Sequence, residues 1–477
     1  MKRFLAVMLA GAMILAMAGC SGETGSGSSP AGSSDASSVS DAADSSSDSG
    51  VSDASTSDTS EEQTPGSSSN SGTSGEAAAQ LENAMKPDLI SAALQSALGL
   101  DEAAATAAAE QMLPLLMYTE GNAVRVAKVI RKLQAGEEVT VAYLGGSITQ
   151  GSGADGETCY AALTTKWLKE QFPDAKINYV NAGIGATGSY IGVHRCDTQV
   201  LSSDPDLVFI DFSVNDTSDR IAINKLTYEG LIRKIWQYDS APGIICIAMT
   251  QEDGTSVLSA HGEVTSKYSI PLISYHDAML DFLSSNDSVQ WSDISGDNIH
   301  PNVAGHAILS SMITTYIQYI SDNLDSIGET EPELAVPGEN GAKYEKAQLL
   351  TTDDAQPVSN GAFLKREMTF GGFNNPWIAK SNDSSFTDDD ALVIEVEAQN
   401  IGILYGKLVS AAGYADIYID DEFVTTINAD FSGGWGSYVE FAELKSFESS
   451  GKHTLRIVPK GTEGKASAFY ICGITIS

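Results

Sequence analysis

Between residues 122 and 325 the chain alternates between two hydrophobic periods. Apolar runs at 139–144, 176–181, 206–213, 243–249 and 271–275 have strand length and little polar interruption. The stretches between them, notably 158–171, 224–238 and 303–323, repeat apolar residues at the helical period. Residues 122–135 form an amphipathic helix that Gly136 ends. Continuous apolar strands separated by helices predict an α/β unit with a parallel sheet covered on both faces. Its crossovers should be right-handed, and ligands should sit at the carboxyl ends of its strands. Ahead of it, the Ala- and Leu-rich segment 76–121 has helical spacing interrupted by Pro87 and Pro114, and reads as two or three helices.

The pattern changes after Asp325. Residues 327–341 are a Pro/Glu/Gly linker, and 342–477 carry short alternating runs such as Asp416–Ile419, Phe423–Ile427, His453–Val458 and Phe469–Ile476. Asp420, Asp421 and Glu422 supply a hairpin turn, and no helix-length periodic segment intervenes. An antiparallel β-sandwich, jelly-roll-like, follows. Trp377, Trp435 and Tyr438 lie near glycines there, either as sugar-facing aromatics or as ordinary core.

The N-terminus has a different character. Lys2 and Arg3 precede an apolar stretch from Phe4 to Met17, too short to span a bilayer, which closes on Ala18-Gly19-Cys20. Residues 1–20 thus form an export signal. The placement of Cys20 resembles the lipobox of bacterial lipoproteins, in which that cysteine is lipidated; a plain secretory signal or a core helix are the alternatives. The lipoprotein reading anchors the protein in the cell membrane, facing the extracytoplasmic side. Residues 21–75 hold nine acidic side chains, no Lys or Arg and almost no large apolar group. Such a segment is expected to be a disordered tether with a reach of about 40 Å.

Composition narrows the class. The 477 residues include 63 acidic and 27 basic side chains, a formal net charge of −36 that would repel a nucleic-acid backbone. Hydrophobic residues make up 42%, enough for two cores plus appendages. The six histidines show no metal-ligand spacing, so no metal is expected. The composition is silent on oligomeric state.

Four loops combine turn residues with reactive side chains. Gly145-Gly146-Ser147 follows the first strand, Asn181-Ala182-Gly183 the second, and Ser213-Val214-Asn215-Asp216 the third; Asp297-Asn298-Ile299-His300-Pro301-Asn302 precedes the last helix. Glycines let a nucleophilic hydroxyl stand exposed beside free backbone N–H groups, and an amide can donate to a developing oxyanion. An imidazole is the natural base for a serine, and a carboxylate three residues earlier can fix its tautomer. Each motif alone is weak; the ordered set in one α/β frame is specific.

That set resembles the SGNH, or GDSL, hydrolase superfamily over about residues 120–325, within a domain running from 122 to 326. The resemblance implies a flavodoxin-like three-layer fold and ester hydrolysis without a cofactor. By the same carry-over Ser147 is the nucleophile, His300 the base and Asp297 the residue that orients it. The N–H groups of Ser147 and Gly183 and the side chain of Asn215 form the implied oxyanion hole. Two departures stand out: Gly146 where the family usually has Asp, and Ser213 where it often has Gly. His194, His276 and His306 read as structural, and Asp216 as a brace for its loop. Cys246 and Cys472 read as buried thiols, and Cys159 with Cys196 as unpaired.

An esterase on a tether with an appended sandwich is similar to carbohydrate esterases that remove acetyl groups from polysaccharide. The implied partner is an acylated carbohydrate. A lipase or thioesterase acting on lipid acyl chains, and a non-catalytic glycan-binding lipoprotein, are the rival readings.

Overall fold

The computed structural model describes residues 84–477. The signal at 1–20, with Cys20, and the tether at 21–75 lie outside the described residues.

The first described elements are α1 (Asp88–Leu98) and α2 (Glu102–Met112). Gly99 ends α1 in the left-handed region at φ +68°, and the Asp101 side chain accepts from Ala104 N–H to start α2. Then come β1 (Met117–Thr119), α3 (Val124–Gln134), β2 (Glu138–Gly145), α4 (Ser147–Gln150), α5 (Tyr160–Gln171), β3 (Lys176–Gly183) and α6 (Ser189–Gln199). They are followed by β4 (Leu207–Asp211), α7 (Ile221–Trp236), β5 (Gly243–Ala248), α8 (Leu258–Tyr268), β6 (Leu272–Ser274), α9 (Tyr275–Ser285), α10 (Trp291–Ile294) and α11 (Val303–Asp322).

The sheet order is β1-β6-β5-β4-β2-β3, parallel throughout except at β1, which pairs antiparallel with β6. Every residue of β4 and β5 is buried, as continuous apolar strands under helices on both faces require. One apolar layer contains residues of α1, α2, α3, α5, α9 and α11; the other contains residues of α6, α7 and α8. From residue 84 onward, segment 76–121 holds the expected helices as α1 and α2, and departs from that reading at its end. Ile90, Leu94, Ala105 and Met112 are buried in the first layer, and 117–119 is an edge strand. Three residues are too few to show a period in the sequence.

Beyond α11 the strands are β7 (Gln348–Leu350), β8 (Pro357–Ser359), β9 (Leu364–Lys365), β10 (Thr369–Phe370), β11 (Phe373–Asn374) and β12 (Trp377–Ser381). The last five are β13 (Leu392–Lys407), β14 (Tyr414–Ile419), β15 (Glu422–Asn428), β16 (Tyr438–Lys460) and β17 (Ser467–Ile476). All strand pairs here are antiparallel. The long strands β13 and β16 shift register between Ala398 and Gly402, so one half of β13 pairs with β8 and the other with β17. Both halves contribute to one shared core, Leu392 and Ile394 from the first and Ile401 and Ile403 from the second. Asp420 and Asp421, both at positive φ, turn β14 into β15.

This region packs against the α6–α7 face of the α/β unit. Tyr344, Leu349, Leu404, Val439 and Cys472 enter the second apolar layer, and the Phe441 ring stacks on Tyr190 at 4.0 Å. Cys159 and Cys196 lie in opposite layers of the sheet, and all four described cysteines are free and buried.

Candidate active site

The carboxyl ends of β2, β3 and β4 and the loop before α11 converge on one cleft of about 670 Å³. Ser147 opens α4 directly after the β2 glycines, and its Oγ lies 2.8 Å from His300 Nε2. His300 Nδ1 lies 2.8 Å from Asp297 Oδ2, while Asp297 Oδ1 accepts from the backbone N–H groups of Ile299 and His300 at 2.7 Å each. With Nδ1 donating to the carboxylate, Nε2 is the lone-pair nitrogen facing the serine. Partial burial pushes the Asp297 carboxyl up. Its bonds from the His300 ring and the two backbone donors outweigh that, and the group lies below its ordinary value.

The loop that carries this pair is held from several sides. Trp291 Nε1–H donates to the Asp297 carbonyl at 2.6 Å, and Gly296 N–H donates to the His300 carbonyl at 3.0 Å. Asn302 then caps α11 by accepting from the N–H groups of Ala304 and Gly305.

Asn215 lines the same cleft. Its neighbour Asp216 braces the loop: Oδ1 accepts from Ser189 N–H at the start of α6, and Oδ2 lies 3.0 Å from the buried His261. Ser213, in the position that often carries Gly, donates to the Met249 carbonyl and accepts from Met249 N–H. Gly146 is explained by Asn215, because a Cβ there would lie 2.0 Å from Asn215 Oδ1.

Gly183 is corrected as an oxyanion donor. Its N–H already donates to Asn181 Oδ1 at 2.8 Å, and a Cβ on it would lie 2.2 Å from Gln150 N, so the glycine serves close packing of β3 on α4. The free N–H of this loop belongs to Ala186, which lines the cleft at φ +59° and donates to no acceptor among the described residues. A non-glycine residue in that conformation is the signal, and only the structure exposes it. Ser147 N–H, at the first position of α4, has no preceding turn to bond.

The histidines read as structural sit in structural surroundings. The His194 ring is buried with Nδ1 2.7 Å from the Tyr190 carbonyl, His276 contacts Asp277 and the Gly254 carbonyl, and His306 bridges Tyr160 N–H and the Ser152 carbonyl. Of the two readings for Trp377, the structure gives ordinary core: the indole is buried in the C-terminal antiparallel region. Trp435 is 74% exposed, and its ring stacks on Tyr438 with centroids 5.2 Å apart. Both rings line the cleft with Ser437, Gly371 and Gly372, so the C-terminal region forms one wall of the serine site.

Residues 143–308 match the model of the GDSL-like lipase/acylhydrolase family. Among solved structures, a two-domain esterase (CEX) active on acetylated mannans is 30% identical, with 76% of this chain and 97% of that chain covered at a TM-score of 0.69. The same esterase crystallised with mannopentaose gives 30%, 76%, 96% and 0.67. The acetyl xylan esterase AlAXEase is 21% identical over 37% of this chain and 98% of its own, at a TM-score of 0.33. No curated protein matches the chain.

Proposed function

The chain belongs to the GDSL-like lipase/acylhydrolase family and is a carboxylic ester hydrolase; on that premise we propose that it removes acetyl groups from an acylated carbohydrate. His300 Nε2 takes the Ser147 hydroxyl proton as Oγ attacks the ester carbonyl, and Asp297 holds the imidazolium that forms. The oxyanion is met by the N–H groups of Ser147 and Ala186 and by the Asn215 amide. Losing one such donor costs about 2.7–4 kcal/mol of transition-state stabilisation. His300 returns its proton to the leaving sugar hydroxyl. Water, deprotonated by the same nitrogen, then cleaves the acetyl-enzyme to acetate and free serine.

The observation that carries this reading is the hydrogen-bonded Asp297–His300–Ser147 series opening on a cleft with an exposed indole on its far wall. An exposed aromatic face suits the apolar face of a sugar ring, and Gln150, Asn298 and Ser437 offer polar contacts to its hydroxyls. Mannan is the polymer to try first, because the 30% identical two-domain esterase acts on acetylated mannans. A p-nitrophenyl ester series from acetyl to octanoyl, run with the full chain, separates the rival lipase reading. Acetyl preference is expected, and octanoyl preference would favour lipid acyl chains.

Anchoring at Cys20 outside the cytoplasm belongs to the same proposal and is supported by the targeting pattern of residues 1–20. No helix of the described residues is long and apolar enough to cross a membrane. Metabolic labelling with a fatty acid should mark the wild-type chain and not Cys20→Ser.

A further inference from the structure

Behind the serine turn lies a carboxylic acid that the ester chemistry does not use. Asp211 ends β4 opposite Gly145 of β2, and its carbonyl accepts from Gly146 N–H at 3.3 Å. Its side chain is 2% exposed. Thr149 Oγ1 donates to Oδ2 across 3.4 Å, and Oδ1 is buried without a partner. Thr149 is two residues along α4 from Ser147; its hydroxyl lies 2.8 Å from that of Tyr160, and its carbonyl accepts from Asn181 Nδ2 at 2.8 Å.

The groups facing this carboxyl are Thr149 of α4, Tyr160 of α5, the Ser213 N–H and Asp216 of the loop after β4, and Tyr228 of α7. None is a cation. Arg195 is committed elsewhere, to the carbonyls of Gly145 and Ala182 and to Gln199. An ionised carboxylate would stand here with one bare oxygen and no counter-charge, whereas a neutral acid still accepts from Thr149 and buries no charge.

We propose that Asp211, held as a neutral acid, is a positioning residue that locks the Ser147 turn through Thr149. The proposal rests on Ser147 being the nucleophile. Burial, opposed by Thr149 and the Ser213 N–H and reinforced by Asp216, raises this carboxyl to about 7. The native state therefore binds the proton more tightly than the unfolded chain. The stability this group contributes is complete below the ordinary carboxylate range and is lost as pH rises through about 7. Above that point an uncompensated charge with a bare Oδ1 is buried behind the turn, and a shifted turn that hydrates it is favoured over the productive one.

The test is kcat on p-nitrophenyl acetate from pH 5 to 10 for the full chain, with Asp211→Asn, Asp211→Ala, Thr149→Val and Ser147→Ala beside the wild type. The wild type should lose activity by about fivefold or more above neutrality, within the range a small misplacement of a nucleophile produces. Asp211→Asn, which keeps the shape without the titration, should match the wild type at pH 6 and lack that loss. Asp211→Ala should be about tenfold slower at pH 6. Thr149→Val, should the Asp211 variants fail to fold, should be slower at every pH. An identical alkaline loss in wild type and Asp211→Asn, or a Thr149→Val enzyme with wild-type kcat, overturns the proposal. Full activity in Ser147→Ala would instead remove the nucleophile on which it rests.

Discussion

A Cβ added to Gly146 would lie 2.0 Å from Asn215 Oδ1, so the glycine beside the nucleophile and the amide of the third loop occupy one another's space. The family usually places Asp at 146. Here the missing side chain is the room that lets Asn215 reach the cleft. Gly146→Ala should displace the amide and lower kcat by about 10²–10³, as loss of one oxyanion donor does. Melting temperature should fall little, since Asn215 lies half-buried in the loop after β4 rather than in the core. Kinetics and thermal unfolding on the same preparation check both halves.

Trp435 belongs to the C-terminal region yet lines the cleft of the α/β unit. Trp435→Ala should raise KM for an acetylated oligosaccharide roughly three- to tenfold, the loss of one aromatic contact. The same variant should leave kcat on p-nitrophenyl acetate near wild type, because the small ester does not need the platform. Equal effects on both substrates would assign the indole to folding.

The fork of Arg195 ties the ends of two strands: Nη2 donates to the Gly145 carbonyl at 2.8 Å and Nη1 to the Ala182 carbonyl at 2.5 Å. Arg195→Met removes both bonds, leaves the Gly145 carbonyl with only the Ile184 N–H, and should cost about 2–4 kcal/mol of stability. Lysine should not rescue it, since one ammonium does not reproduce the planar fork. Denaturant unfolding of the three proteins decides this.

Burial holds the His194 imidazole down at about 3, against the Tyr190 carbonyl that favours its charged form and together with Lys234 and Lys343, which disfavour it. The native state thus binds this proton less tightly than the unfolded chain. Its contribution is present above the ordinary histidine range near 6.5 and is lost as pH falls towards 3, at most about 4–5 kcal/mol in all. Urea midpoints at pH 7 and pH 4.5 should drop more for the wild type than for His194→Gln.

The periodic segments were readable to within a few residues because strands buried on both faces write continuous apolar runs. The three-residue strand at 117–119 left no period, and its place at the sheet edge comes from pairing with 272–274. Ser147, Asp297, His300 and Asn215 announced themselves because their chemistry demands particular residue types in a particular order. Ala186 did not, since its role depends on a backbone torsion and a free N–H rather than on a side chain. Asp211 was hidden inside the apolar run Leu207–Phe212, and Trp435 gained meaning only when 342–477 packed against the first unit.

Acetate release from an acetylated oligosaccharide, followed for the full chain and for Ser147→Ala at equal concentration, decides whether Ser147 carries deacetylation of carbohydrate. Stoichiometric acetate is expected from the wild type and background release from the variant, with the variant still folded. Equal release from both, or none from either while another ester is cleaved, would contradict that role.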